Sequence, residues 1–212
     1  QRFDFYHDIQ LAIIVVEGNP LGHTIASIDP LFHSNQIQLT PNISQKSGRA
    51  VQMNAGAGLA KGKFLLFLHA DTTLSDQAAE RIPFLMDDSS ISCGAFSLGI
   101  QHPRKAYRLI EFVANLRNRI TRLPYGDQGQ FFRRDYFETL GGYADVPLME
   151  DVEIMQRVKK RKDRCRILPD KVFTSARRWE KEGIVYCTLR NWALISLYSL
   201  GVSPHRLAKY YT

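Results

Sequence analysis

Residues 48–74 read GRAVQMNAGAGLAKGKFLLFLHADTTL. The first half, Gly48 to Ala60, is rich in alanine and glycine. It permits a helix, and its small side chains allow that helix to lie close against a sheet. The run Phe64 to Leu68 (FLLFL) is continuously apolar and of strand length, which predicts a buried strand. That strand ends directly in His69-Ala70-Asp71-Thr72.

The same alternation continues on both sides. Upstream, Leu11 to Val16 (LAIIVV) is a β-branched run closed by Glu17-Gly18-Asn19-Pro20, a strand followed by a turn. Gln36 to Leu39 has the makings of a short second strand. Downstream, Ser75 is placed to cap a helix running to Met86, which Pro83 is expected to kink or end. Ile91 to Ile100 reads as a strand weakened by Gly94 and Gly99. Arg104 to Arg122 is an amphipathic helix, with Ala106, Leu109, Ile110, Val113, Leu116 and Ile120 at helical spacing and Arg104, Arg108, Arg117 and Arg119 on its other face. After a turn at Pro124-Tyr125-Gly126-Asp127 come a strand over Gln128–Arg133 and a helix over Glu150–Arg161 with Val152, Met155 and Val158 inward. An aromatic and aliphatic helix over Ile184–Leu200 follows. Strands alternating with helices predict an α/β fold with a mostly parallel central sheet. No repeat or linker interrupts the chain, so residues 1–212 are read as one domain.

Composition limits the function classes. With 44% hydrophobic and 23% charged residues in 212, the chain can bury a full core. A net charge of +7 favours acidic or phosphorylated partners. Cys93, Cys165 and Cys187 form neither a paired framework nor a C-x-x-C motif, and no secretory leader opens the sequence; a cytoplasmic protein is expected. The apolar stretch Trp192–Val202 is too short to span a bilayer, which leaves room only for peripheral contact at the inner membrane face. The arginines of the 104–122 helix, without any nucleic-acid module signature, give no reason to expect nucleic-acid binding.

Ligands of open α/β sheets collect at the carboxyl ends of the strands, where Glu17 and Asp71 follow two of the expected strands. Singly, each acid is ordinary. An Asp after a strand serves most often in a turn, Glu150-Asp151 suits the first turn of any helix, and a lone His69 is commonly structural.

Together, these segments carry a resemblance. GRAVQMNAGAGLAKGKFLLFLHADTTL resembles the central signature of family-2 glycosyltransferases, a small-residue helix before a hydrophobic strand ending in an Asp-x-Asp motif. LPYGDQGQFFRRDYFETLGGYADVPLMEDVEIMQRV, residues 123–158, looks like the acceptor half of that family, with its Glu-Asp pair. SARRWEKEG, residues 175–183, is similar to the basic-aromatic element near the donor diphosphate. Within the family the chain most resembles a bacterial subgroup of arsenosugar-biosynthesis glycosyltransferases.

The resemblance implies a GT-A-like nucleotide-diphospho-sugar transferase fold, with a donor-binding half over about residues 11–100 and an acceptor half with the C-terminal helix over about 101–212. It implies an inverting transfer from a UDP- or GDP-sugar to a small-molecule or lipid-linked acceptor, assisted by Mg²⁺ or Mn²⁺. In this reading Asp151 is the catalytic base and Glu150 shapes the acceptor site. Glu17, Gly18, Arg49, Gln52, Asn54, Asp71, Arg177, Arg178 and Trp179 approach the donor. Asp71 and His69 hold the metal, and Gly126, Asp127 and Gln128 lie near the acceptor. Three positions depart from the family pattern. His69 replaces the first acid of Asp-x-Asp, Gly22 stands where a second acid is usual, and QRFDFYHDIQ does not supply the Ile-Pro-x-x-Asn-Glu element. The fold is therefore expected to lack the family's first strand and helix. A non-catalytic nucleotide-sugar-binding relative and a nucleotidyltransferase are the alternatives.

Overall fold

The computed structural model describes residues 48–69 and 71–211, and the backbone of residues 11–16. The expected strand over Gln36–Leu39 lies outside these residues, as do Glu17 and Gly18. The strands are β1 Leu11–Val16, β2 Phe64–His69, β3 Thr72–Leu74, β4 Ile91–Gln101, β5 Phe131–Arg133 and β6 Arg164–Ser175. The helices are α1 Arg49–Leu59, α2 Asp76–Met86, α3 Lys105–Thr121, α4 Arg134–Leu140, α5 Glu150–Arg161, α6 Arg177–Glu182, α7 Ile184–Ser199 and α8 Pro204–Leu207, with a 3₁₀ turn at Gly126–Gln128.

The six strands form one sheet in the order β1-β2-β5-β4-β6-β3. The α/β class is as expected, but the strand directions are more mixed. β1/β2 and β4/β6 are parallel, whereas β2/β5, β5/β4 and β6/β3 are antiparallel. Two three-residue strands cause the difference: β5 is wedged between β2 and β4, and β3 lies on the outer edge. A register shift between Ala95 and Ser97 divides β4, so that its later half runs with Lys171–Ser175 and carries β3 beyond. The close approach of strands at Gly94 requires glycine, because a Cβ there would stand 2.5 Å from the Arg166 carbonyl oxygen.

β2 shows why its sequence has no polar alternation. Leu65 and Phe67 face one core with Ala50 and Met53 of α1, Phe137 of α4, and Ile154, Met155 and Val158 of α5. Phe64, Leu66 and Leu68 face the other, with Ala78, Ile82 and Met86 of α2. A strand covered on both faces must be apolar throughout. The aromatic rings of Phe67, Phe132, Phe137 and Tyr143 pack edge-on or tilted at 5.0–6.3 Å, stiffening the layer that carries the end of β2.

Several local expectations change. Ser75 does cap α2, its hydroxyl accepting from the Ala78 N–H, but the helix continues through Pro83 to Met86. Burial of Ile82 and Met86 on either side of the proline holds that last turn. The strand expected over Gln128–Arg133 is reduced to Phe131–Arg133 and preceded by the 3₁₀ turn. On α3 the inward face is Tyr107, Glu111 and Asn118, while Leu109, Leu116 and Ile120 of the expected apolar face are exposed. Glu111 can be buried because Arg108 and Lys171 pair with it at 2.8 and 2.9 Å and the Ile100 N–H donates to it at 2.7 Å. Cys93, Cys165 and Cys187 are free thiols.

Candidate active site

The site lies at the carboxyl end of β2, beside parallel β1, where α/β sheets present their ligands. His69 is the last residue of β2, and Asp71 follows it, exposed, at the start of the turn into β3. The Asp71 carbonyl accepts from the Ser175 N–H at 3.1 Å, which fixes this turn to the end of β6.

Opposite stands the N-terminus of α5. Met149 precedes it with φ 68°, a left-handed conformation uncommon for a side-chain-bearing residue, and this turns the following Glu150-Asp151 pair into the cleft. Both acids also sit in the favourable field of the helix N-terminus. They face different partners. Glu150 is buried and pairs with Arg49 of α1 at 2.9 Å. Asp151 is half-buried; its Oδ2 accepts from the Gly126 N–H at 2.6 Å and its Oδ1 from the Val152 N–H at 2.8 Å.

Gly126 is where the two sides of the cleft meet. A Cβ placed there would stand 2.8 Å from His69 Nε2 and 3.3 Å from Asp151 Oδ2. The imidazole from β2 and the carboxylate from α5 therefore converge on one bare backbone position. Met53, Phe67, Leu68, His69, Gly126, Tyr143, Glu150 and Asp151 line a small recess there.

Electrostatics distinguishes the groups. Burial, with Arg49 and Arg178 acting the same way, lowers His69 to about 4 against the pull of Asp151 and Asp71. At neutral pH the ring is uncharged and keeps a lone pair for a proton or a metal. Burial and the neighbouring Asp151 push Glu150 up to about 7, outweighing Arg49. Those same carboxylates hold Arg49 charged against its own burial. Burial raises Asp127 to about 6, with Asp151 and Asp71 adding to it and Arg117 and Arg49 opposing. Asp127 Oδ1 is buried with no hydrogen-bond partner among the described residues, an acceptor left for a ligand or a proton.

The remaining expected residues divide. Arg178 is close enough to act on His69, and Tyr211 holds it through its hydroxyl and ring. Gln128 is buried and works within its own turn, accepting from the Tyr125 N–H at 3.1 Å. Asn54 is occupied by Tyr143, donating to its carbonyl at 2.8 Å and accepting from its N–H at 2.9 Å. Gln52 has a buried Oε1 with no partner among the described residues. Trp179 packs edge-on against Tyr107 rather than lining the recess, and Arg177 is exposed.

Three contributors escape a sequence reading. Tyr143 walls the recess and donates through its hydroxyl to Gln130 Oε1 at 2.9 Å. Gln130 in turn donates to the carbonyls of Pro124 and Asp151, joining the turn to α5. Arg117 stacks on the Tyr125 ring at 3.3 Å and reaches Gln128. The signal available for Gln130 was a polar residue between a glycine and a buried Phe-Phe pair.

Among the described residues no three His, Cys, Asp or Glu side chains stand close enough to enclose a metal ion. His69 and Asp71 could supply two ligands, which fits a cation completed by oxygens of a bound diphosphate.

Glycosyl transferase family 2 matches residues 9–141, more than half of the chain. Among solved structures, TarS residues 1–349 from S. aureus in complex with UDP-GlcNAc superposes with a TM-score of 0.54 at 13% identity, covering 77% of this chain and 48% of that one. The UDP complex gives 0.54 at 12%, covering 77% and 50%. A further crystal structure of TarS 1–349 gives 0.52 at 12%, covering 92% and 58%. The chain thus spans about half the length of these structures, and they share its fold. No curated protein matches the sequence. With a family match over residues 9–141 and the fold in agreement, the chain belongs to glycosyl transferase family 2.

Proposed function

We propose that the chain is an inverting glycosyltransferase that moves a sugar from a nucleotide-diphosphate donor to an acceptor hydroxyl, with Asp151 as base. The observation that carries this reading is the convergence of Asp151 Oδ2 and His69 Nε2 on Gly126 at the carboxyl end of β2. Asp151 keeps lone pairs free beyond its two backbone bonds and can take a hydroxyl proton. The acceptor oxygen attacks the anomeric carbon as its proton passes to Asp151. The bond from that carbon to the diphosphate oxygen breaks, and the diphosphate leaves with the electron pair. Attack from the face opposite the leaving group inverts the centre.

Arg49 and Arg178 supply positive charge on the His69 side of the cleft, where a diphosphate would develop charge. Asp71 and His69 would hold the divalent cation; when bound, it neutralises the leaving diphosphate. A nitrogen ligand in place of a carboxylate favours Mn²⁺ over Mg²⁺. The TarS complexes hold UDP-GlcNAc and UDP, which supports a uridine-type donor as the first to be tried. The acceptor is a small molecule or a lipid-linked carrier, and the subgroup likeness adds arsenosugar precursors to the panel.

The test is release of nucleoside diphosphate from UDP- and GDP-sugars with Mn²⁺ and an acceptor panel, comparing the native chain with Asp151→Asn. Asparagine keeps the shape and can still accept from the Gly126 N–H. Loss of about 10²- to 10⁴-fold in kcat with donor affinity within threefold is expected. Release of pyrophosphate would make the chain a nucleotidyltransferase, and donor binding without turnover in the native chain would make it a non-catalytic relative.

A further inference from the structure

We propose that α3 and α7 together form a face that docks on an anionic membrane surface. Leu109, Phe112, Leu116 and Ile120 recur at helical spacing on the side of α3 turned away from the sheet, and they are 45–73% exposed. On and just after α7, Val185, Tyr186, Leu189, Trp192, Leu197 and Leu200 are 42–82% exposed. So much exposed apolar surface on two helices is more than scattered surface residues account for.

The two stripes belong to one flank. Ile110 and Ala114 of α3, Trp179 of α6 and Ile184 at the start of α7 all pack against one buried cluster around Tyr107. Further along, Tyr125 stacks against Arg117 of α3 and packs against the same buried cluster, around Leu194 and Leu207, as Ile195 and Tyr198 of α7. Both helices therefore end near the turn that carries Gly126.

Charge selects the occupant. Arg104, Lys105, Arg108, Arg119 and Arg122 border the apolar stripe of α3 and are exposed. The one carboxylate in this helix, Glu111, is buried and paired with Arg108 and Lys171, and α7 contains no Asp or Glu. Apolar side chains fringed on α3 by Lys and Arg, with no acid exposed on either helix, suit a bilayer interface containing anionic lipid. The nearest exposed acid in sequence, Glu180 before α7, is paired with His102 at 3.2 Å. A second copy docked by this face would bring basic rims against each other, which opposes a symmetric dimer. Among the described residues no helix is long and apolar enough to cross a membrane, so the contact is interfacial. Resting on the transferase reading, the docked face would present the acceptor side of Asp151 to a membrane-borne acceptor.

The experiment is co-sedimentation of the full chain, without nucleotide, with vesicles of phosphatidylcholine alone or with one third phosphatidylglycerol. Donor activity plays no part in this readout, so the transferase reading can fail while docking holds, and the reverse. At least tenfold tighter binding to the anionic vesicles is expected, weakening as salt is raised. Phe112→Asp with Leu116→Asp, and separately Leu189→Asp, are each expected to weaken it at least fivefold with unchanged melting. Lys105→Glu with Arg119→Glu is expected to abolish the preference for anionic lipid. No vesicle binding, equal binding to both compositions, or a concentration-dependent dimer dissolved by the same substitutions would each overturn the proposal.

Discussion

Arg49 at the start of α1 and Glu150 at the start of α5 form an ion pair at 2.9 Å, with Glu150 almost fully buried and Arg49 one third exposed. It ties together two helix N-termini that lie 101 positions apart, and its Glu150 is next to Asp151 in sequence. Arg49→Met would leave a buried carboxylate without its partner. The expected cost is about 2 kcal/mol at pH 8, below the range for fully buried pairs because Arg49 is partly solvated. At pH 5, where Glu150 can protonate, the cost should fall below about 1 kcal/mol. Urea unfolding of both proteins at the two pH values checks this; equal costs would mean that the pair contributes nothing specific.

Glu150 itself gives a pH signature. Its folded value of about 7 is raised above the ordinary 4.5, so the folded state binds the proton more tightly than the unfolded chain. Its contribution favours folding below pH 4.5 and is lost as pH rises through 7. His69, lowered to about 4, acts in the opposite sense, favouring folding above pH 6.5 and losing that as pH falls. Subtracting the stability of Glu150→Gln from that of the native chain removes the His69 part. The difference should decline between pH 4.5 and 7 by roughly 1–3 kcal/mol, on top of a constant offset from the unpaired Arg49. A flat difference curve would show that Glu150 is charged throughout.

These couplings mark what the sequence could and could not convey. β2 and α5 were legible because each announces its environment locally, one as a run covered on both faces and one as inward positions at Val152, Met155 and Val158. The orientation of α3 was not, because the helix is apolar on two opposite sides. Tyr107 and Ile110 look as suited to a core as Leu109 and Ile120, and Glu111 faces inward because Lys171 and the Ile100 N–H, both outside the helix, join Arg108 in satisfying it. That His69, Glu150 and Asp151 would come near one another was legible from the pattern, but their partners were not. Asn54 is attractive as a nucleotide contact until Tyr143, 89 positions away, is seen to use both ends of its amide.

His69 and Asp71 make a prediction about metal removal. Two protein ligands without bound diphosphate should hold a cation weakly, so Mn²⁺ alone should bind poorly and together with the nucleotide much better. Asp71→Ala should weaken donor binding about tenfold in Mn²⁺ and leave it unchanged in excess EDTA. His69→Ala should lose more affinity in Mn²⁺ than in Mg²⁺. Calorimetric titration of nucleoside diphosphate under the three conditions reads all of these. Equal affinity of the native chain with Mn²⁺ and with EDTA would mean that Arg49 and Arg178 neutralise the diphosphate unaided.

Gly126→Ala is the most direct probe of the geometry. Gly126 is not among the residues with positive φ, so alanine meets no backbone penalty there and only its methyl group matters. At 2.8 Å from His69 Nε2 and 3.3 Å from Asp151 Oδ2, the methyl cannot fit unless one group moves. His69 ends a strand paired along its length with β1, which resists displacement. Asp151 can move only by loosening its 2.6 Å bond to the Gly126 N–H. Displacement of about 1 Å at a reacting group costs on the order of 100-fold in rate. The expected result is therefore a loss of about that size in kcat, with stability lowered by roughly 1–3 kcal/mol. Donor affinity in excess EDTA should change little, because the clash does not fall on Arg49 or Asp71, and any loss in Mn²⁺ should not exceed that of His69→Ala. If the variant turned over within twofold of the native chain, the convergence of Asp151 and His69 on this glycine would not be the working arrangement of the site.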